Sequence, residues 1–367
     1  MKFSCEKSVL SKEIGIAGEV IASKNAISIL SNIYLEAKDS SLTIKATDLK
    51  VTFETKVPVT VEEEGSTTVF GDKFMGILNN LPEGEMEFEQ KDMAITIKSK
   101  SLKGNYHLKS IASEKFPEFP QDDTAQFFDL PIKDFKEMIQ QTVFAVSFDE
   151  TRYFMNGVFC EKEDGGLVMV GTDGRRLAYI KKNIGAAIPD FKGAIIPTKV
   201  LGIAGKRAGD EGLISLAITD NIFYLKFASY YFSSVLIEGQ FPNYRRVIPE
   251  NQLNHFIVKR TDMLEAVRRV SLLLEAKETR IKFSISSGTL VVDSEESDLG
   301  DAKMEIPCQY EGEGISLALN YHYIEEPFKA MAEEDIEILF NEPTKAITVR
   351  PMPEKDFFHI VMPMQID

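Results

Sequence analysis

The stretch Gly171-Thr172-Asp173-Gly174-Arg175-Arg176-Leu177-Ala178-Tyr179-Ile180 follows directly on the apolar run Leu167, Val168, Met169 and Val170. It reads as a strand, a tight turn and a second strand, with Asp173 and Gly174 the pair that tolerates the backbone angles of a two-residue hairpin. Two arginines leave the turn beside Leu177, and no nucleophile stands next to a base. An echo sits far upstream at Leu42-Thr43-Ile44-Lys45-Ala46-Thr47-Asp48-Leu49, so one framework has been used more than once along the chain.

Working outward, six segments carry apolar residues at helical spacing. Leu10, Ile14, Ala17 and Ile21 share a face, as do Phe74, Ile77, Leu78 and Leu81 behind Asp72, which is expected to cap that helix. Phe135, Met138, Ile139 and Val143 follow Pro131, and Val200, Leu201 and Ala204 follow Thr198. Thr261 is expected to cap a helix with Leu264, Val267 and Ser271, and Asn320 to open one with Tyr323, Ile324 and Phe328. Corresponding helices begin about 125 residues apart, the self-similarity of a repeated unit. Between them the period switches to two: Met86–Phe88 with Ile95–Ile97, Ile214–Ile218 with Phe223–Phe227, and Ile336–Phe340 with Ala346–Val349 read as hairpins. The fold class is α+β, in three copies with two helices each on antiparallel sheets. Boundaries fall at the turn-rich Phe116-Pro117-Glu118-Phe119-Pro120 and at Phe241-Pro242-Asn243-Tyr244, giving domains 1–122, 123–252 and 253–367. The shared Phe-Pro-x-Phe/Tyr pattern implies linkers that dock on their own domains.

A chain of 367 residues exceeds one hydrophobic core, and 44% apolar with 27% charged residues suits a folded globular protein. No apolar run is long enough for a membrane span, and Met1 to Glu6 shows no secretory signal, so the cytoplasm is the expected location. Cys5, Cys160 and Cys308 lie in separate strand-like segments and read as reduced core thiols. His107, His255, His322 and His359 form no metal-ligand spacing, so neither metal nor cofactor is expected. A formal charge of −15 ordinarily counts against nucleic acid, although whole-chain charge leaves open a basic surface opposite acidic runs such as Glu62 to Glu64.

Four motifs, Thr172 to Ala178, Phe241 to Pro249, Arg152 to Gly157 and Val361 to Met364, together with the threefold repeat, closely resemble the bacterial β sliding clamps, processivity subunits of the replicative DNA polymerase. The resemblance spans the chain. It implies a head-to-tail homodimer forming a six-domain ring, helices lining the hole, around duplex DNA held without sequence preference. The implied partners are the polymerase catalytic subunit, the clamp loader, and other polymerases and repair proteins carrying short clamp-binding motifs. No catalysis and no membrane are implied.

The resemblance places a peptide groove at Met155, Thr172, Gly174, Arg175, Arg176, Leu177, Pro242, Arg246 and Val247, closed by Asn320, Tyr323, Thr344, Ala346, Ile360, Met362, Pro363 and Met364. Leu177, Val247, Ile360 and the methionines suit Leu or Phe anchors, and Arg175, Arg176 and Arg246 suit polar or acidic groups at the rim. Taken alone, Met362 and Met364 read as edge-strand packing and Arg245-Arg246 as a solvated rim, and only the joint match favours the groove. Lys24, Arg152 and Tyr153 match positions near DNA, and Lys12, Lys73, Lys136, Lys199, Lys206, Arg207 and Arg268 join them by helical phase. For the ring interface, Tyr106 and Leu108 would meet Leu272 and Leu273 of a second copy, flanked by Lys73 or Lys103 facing acidic groups such as Glu305; a core role for the two leucines is the competing reading. Three departures stand out: Arg175 occupies a place often held by His, Pro327 interrupts the last helix, and acidic Asp149 and Glu150 border the DNA loop. The tail Gln365, Ile366 and Asp367 runs on to the groove's edge. The rival readings are a hydrolase using Asp173 or Asp48 and a protein-binding repeat scaffold.

Overall fold

The computed structural model describes residues 1–21, 29–120, 122–185 and 187–365. The chain forms two compact units, Met1–Phe135 with Lys199–Leu236, and Lys136–Thr198 with Ile237–Asp367. Each is built on one continuous antiparallel sheet, of 13 strands in the first and 12 in the second among the described residues. The middle third of the chain contributes to both sheets. In the first unit Tyr230–Val235 pairs with Val51–Pro58, setting Phe232 opposite Phe53. In the second Arg176–Asn183 pairs with Phe357–Val361, setting Leu177 opposite Ile360.

The six α-helices of the described residues fall where the periodicity predicts them: α1 Lys7–Val20, α2 Gly71–Asn80, α3 Ile132–Thr142, α4 Thr198–Arg207, α5 Arg260–Val270 and α6 Tyr321–Ala330. Leu10, Ile14 and Ala17 of α1 are fully buried, and α1 packs on α2 and on the strand Ser41–Thr47; α5 likewise packs on α6. Two expected caps are corrected. Phe70 and Lys259, both extended and offering no side-chain acceptor, stand at the starts of α2 and α5, so Asp72 and Thr261 lie inside the first turns. Strand runs straight into helix at both places, and the last strand residue takes the cap position. Asn320 does cap α6, its Oδ1 accepting from the His322 amide at 3.0 Å. α6 starts on time and runs through Pro327 to Ala330.

The turn after Thr172 is also wider than a two-residue hairpin. Thr172 pairs with Leu177, leaving residues 173–176 to reverse the chain. Side chains hold them: Thr172 Oγ1 donates to the Arg176 carbonyl at 2.6 Å and accepts from the Gly174 amide at 3.1 Å, while Asp173 Oδ1 accepts from the amides of Arg175 and Arg176 at 2.9 and 3.1 Å. The upstream echo repeats every bond. Thr47 Oγ1 donates to the Val51 carbonyl and accepts from the Leu49 amide, both at 2.9 Å, and Asp48 Oδ1 accepts from Lys50 and Val51 at 2.9 and 2.7 Å. The third loop residue is left-handed in both, with φ 87° at Gly174 and 75° at Leu49. Glycine adopts that angle at no steric cost, whereas a leucine there is uncommon and is held by the surrounding bonds.

Both linkers dock. Phe116 is buried 5.4 Å from the Tyr34 ring. Phe241 stacks on Phe159 at 4.8 Å, and Tyr244 Oη donates to Glu161 at 2.5 Å. Cys5, Cys160 and Cys308 are free thiols, with burial pushing Cys5 up to about 12.

Candidate functional site

Within the second unit, the strand Gly166–Thr172 is buried along its whole length, and a Cβ on Gly171 would lie 2.3 Å from the Thr142 carbonyl oxygen. That close approach leaves room for glycine alone and seats the hairpin against the chain below. The core beneath consists of Val168, Val170, Leu177, Ile195, Phe241, Tyr244 and Ile360, with Ala346 packed on it. The docked linker therefore supplies one wall of what opens above.

Two cavities lie there, sharing Arg175 and Met362. The first, about 310 Å³, is lined by Met155, Thr172, Gly174, Arg175, Arg176, Leu177, Pro242, Asn243, Tyr244, Val247, Ile360 and Met362. Its floor is core, Leu177 at 3% exposure and Ile360 at 2%, while the lips are open, Val247 at 53% and Met362 at 43%. The second, about 430 Å³, is lined by Arg175, Thr279, Arg280, Asn320, Tyr323 and the tail residues Met362 to Gln365. The tail is pinned beside it: the Met362 amide donates to the Arg175 carbonyl at 2.9 Å and the Met364 amide to the Ala318 carbonyl at 2.8 Å.

Of the expected groove residues, Arg246 and Thr344 are exposed and line neither cavity, and Ala346 packs below the first. Arg176 lines the first cavity, but its guanidinium is spent within the chain rather than held out at the rim. Nε donates to Asp173 at 3.0 Å, Nη1 pairs with Glu326, Nη2 donates to the Phe144 carbonyl at 2.6 Å, and the Tyr323 ring lies 4.7 Å away. Replacing Asp173 with Ala removes the acceptor of two loop amides and a partner of a nearly buried guanidinium. It is expected to destabilise the protein by about 1–3 kcal/mol, read by thermal unfolding. Asn243, Tyr244, Thr279 and Arg280 are lining residues beyond those expected, while Gln365 lines the second cavity at the edge where the tail was expected. Tyr244 was legible from its docking motif, whereas nothing near Arg280 in sequence signals a cavity.

The expected DNA contacts divide by how their charges are used. Lys24 lies outside the described residues, as do Ile366 and Asp367 of the tail. Arg152 is held by Asp149 at 3.1 Å and donates to the Asp173 carbonyl at 3.1 Å, and Tyr153 beside it is 52% exposed. Lys199 donates to the Val20 carbonyl and to Asp48, at 2.8 and 2.6 Å. Lys206 and Arg207 both bind Glu19. These three cations are paired inside the first unit; Lys206 nonetheless faces solvent, 64% exposed at its side chain, while Lys199 and Arg207 are more covered. Lys136 is half-buried and has a partner of its own. Lys12, Lys73 and Arg268 are exposed, Lys12 lying 5.7 Å from the Tyr230 ring.

Of the interface candidates, Lys103, Tyr106 and Glu305 are exposed and Leu108 and Leu273 half-buried. Leu272 is 74% exposed, which removes the competing core reading for it. Asn105–Leu108 and Lys303–Pro307 are each paired on one side only among the described residues. No helix there is long and apolar enough to cross a membrane, and no group of three or more His, Cys, Asp or Glu there is placed to hold a metal ion.

Family models for the DNA polymerase III beta subunit match in order along the chain, the N-terminal domain over residues 1–120, the central domain over 129–243 and the C-terminal domain over 245–365. The beta sliding clamp of Treponema pallidum is 46% identical over 371 residues, with 100% of both chains covered. That of Escherichia coli K12 is 26% identical at the same coverage. The crystal structure of the DNA polymerase sliding clamp from Bacillus subtilis matches with a TM-score of 0.93 at 26% identity, and that of the Bartonella birtlesii clamp bound to griselimycin with 0.94 at 27%, each covering 100% of both chains. On a match that runs from end to end in sequence and in fold, the chain belongs to the DNA polymerase III beta subunit family, the bacterial sliding clamps.

Proposed function

We propose that the chain pairs head to tail with a second copy into a ring around duplex DNA, and that its two adjoining cavities hold short peptides of the replicative polymerase, the clamp loader and other DNA-processing proteins. The family is non-catalytic, and the protein's work is tethering. What carries the reading is a full-length family match combined with an apolar cavity whose floor is core and whose lips are exposed. Such a cavity accepts a Leu or Phe side chain on a preformed surface, with little ordering cost on the protein's side. The Bartonella clamp was solved with griselimycin bound, and the cavities here are large enough for a few side chains or a small ligand.

The repeats are read as 1–122, 123–252 and 253–367, the docked linkers marking the joints. For the ring, the half-open strands Asn105–Ile111 and Lys303–Gln309 offer unpaired backbone, and Tyr106 and Leu272 offer apolar surface beside them. For the DNA, Arg152, Tyr153, Lys73, Arg268 and Lys12 supply exchangeable contacts to phosphate, and the surplus of acidic residues elsewhere repels it. Affinity for DNA is then topological, since weak contacts permit sliding while the closed ring prevents escape.

Loading by a clamp loader onto nicked circular DNA tests this. The protein should stay on the circle through gel filtration and be released once the DNA is linearised. Equal retention on both forms, or a monomer in solution at micromolar concentration, would overturn the ring.

A further inference from the structure

The short turn from Ser147 to Met155 faces two ways. Phe148 and Tyr153 are open to solvent, at 86% and 52% exposure, and the Arg152 side chain between them in sequence is 45% exposed. Phe154 packs against the core beneath the first cavity, and Met155, buried, lines that cavity. The Ser147 amide closes the turn by donating to the Met155 carbonyl at 2.9 Å. We infer that Arg152 couples the two surfaces: duplex phosphate and a groove-bound peptide call for different positions of its guanidinium, so a docked partner loosens the grip on DNA, and DNA loosens the groove. The inference rests on the duplex and peptide readings above and adds the regulation that joins them.

The guanidinium is divided between the two sites. Nε donates to Asp149 Oδ2 at 3.1 Å, and Asp149 is itself fixed, its Oδ1 accepting from the amide and the hydroxyl of Thr151 at 3.0 and 2.6 Å. Nη1 donates to the Asp173 carbonyl at 3.1 Å, and a Cβ on Gly174 would lie 3.2 Å from the same nitrogen. Arg152 thus braces the loop whose residues Thr172, Gly174, Arg175 and Arg176 line the first cavity. A phosphate oxygen is a stronger acceptor for a guanidinium than a neutral carbonyl is. It also repels Asp149, so it cannot share the side chain where that rests and has to draw it away from both partners. The Asp173 carbonyl then loses this donor, and Gly174 loses its neighbour. A peptide seated on the loop does the reverse, since its contacts need the loop fixed, and a fixed loop keeps Arg152 in place. Each ligand therefore weakens the other by the same factor. For a sliding protein the consequence is direct: with a partner docked, fewer phosphates are held and the ring moves with less friction.

The test uses a fluorescein-labelled linear duplex of about 30 base pairs, free to thread a closed ring, and a nonapeptide with a Leu-Phe anchor, capped at both ends and without charged residues so that it does not compete with DNA by charge. Fluorescence anisotropy is read at about 50 mM salt, where phosphate contacts are strong. For the full-length protein, saturating peptide should lower duplex affinity by about 2–10-fold, and saturating duplex should lower peptide affinity by the same factor. Arg152→Gln and Arg152→Lys should each bring that factor to one, because neither side chain carries the planar fork that spans Asp149 and Asp173. Lys73→Gln should weaken the duplex yet leave the factor as it was. A factor of one, or a gain in affinity, in the unaltered protein with both ligands bound overturns the coupling alone, and so does a factor that persists in both Arg152 variants or vanishes in Lys73→Gln. A peptide or a duplex that does not bind at all overturns the corresponding reading above and the coupling with it.

Discussion

Val247→Asp combined with Met362→Asp should lower affinity for a polymerase-tail peptide by at least about 100-fold while leaving thermal unfolding within a degree or two of the unaltered protein. Both residues are lips of the apolar cavity, 53% and 43% exposed, so charge placed there stays hydrated and the fold pays little for it. A Leu or Phe anchor, by contrast, would have to strip water from two carboxylates to enter. Leu177 is the more obvious target from sequence, but at 3% exposure it belongs to the core that carries the cavity, and a polar residue there would confound lost binding with lost folding. Retained peptide affinity in the double variant would remove the first cavity from the binding site.

The second large effect is an acid-sensitive step centred on His359. Its ring is buried, and Nε2 lies 3.0 Å from Gln141 Oε1. Gln141 is oriented by donating to the Ala330 carbonyl at 2.9 Å, so its oxygen faces the imidazole and Nε2 carries the proton. Nδ1 has no hydrogen-bond partner among the described residues, and protonating it would bury an unpaired N–H and a charge near Arg176. Burial, reinforced by Arg176, depresses the pKa from 6.5 to about 3. The unfolded chain therefore takes up a proton below pH 6.5 that the folded chain refuses until near pH 3. The contribution is whole above pH 6.5 and is lost as pH falls, by about 2–3 kcal/mol at pH 4.5. His359→Gln, which keeps a donor for Gln141, should flatten unfolding free energy against pH by that amount over this range. Parallel profiles for the two proteins would show that His359 does not set the slope.

What sequence made legible follows the range of the interactions. The Thr-Asp echo was visible because every bond in the loop falls within four residues, and most helix faces were visible because burial follows a period; on α5 the buried face is Met263, Ala266, Val267 and Val270, with Leu264 only half-buried and Ser271 beyond the helix end. The caps at Asp72 and Thr261 failed because a preceding strand displaced the cap position by two residues, to Phe70 and Lys259. The charges were the least legible. Helical phase places Lys199, Lys206 and Arg207 on a polar face, but it does not show that Asp48 and Glu19, far away along the chain, reach them. Arg280 was invisible for the same reason: its cavity is made by a tail 85 positions further on.

The doubled loop has a further consequence. In Thr47 to Val51 and Thr172 to Arg176 the bonds are made by the Thr and Asp side chains and by backbone groups. The side chains of the third and fourth residues take no part in them, Leu49 and Lys50 in one copy and Gly174 and Arg175 in the other. Such a loop behaves as a socket with exchangeable inserts, in which the frame is shared, the fourth residue is unconstrained by the bonds, and the third is limited only by its left-handed backbone. One ancestral hairpin could thus acquire a recognition surface in a single repeat without renegotiating its fold, and the same two positions are where a designer would graft a new specificity.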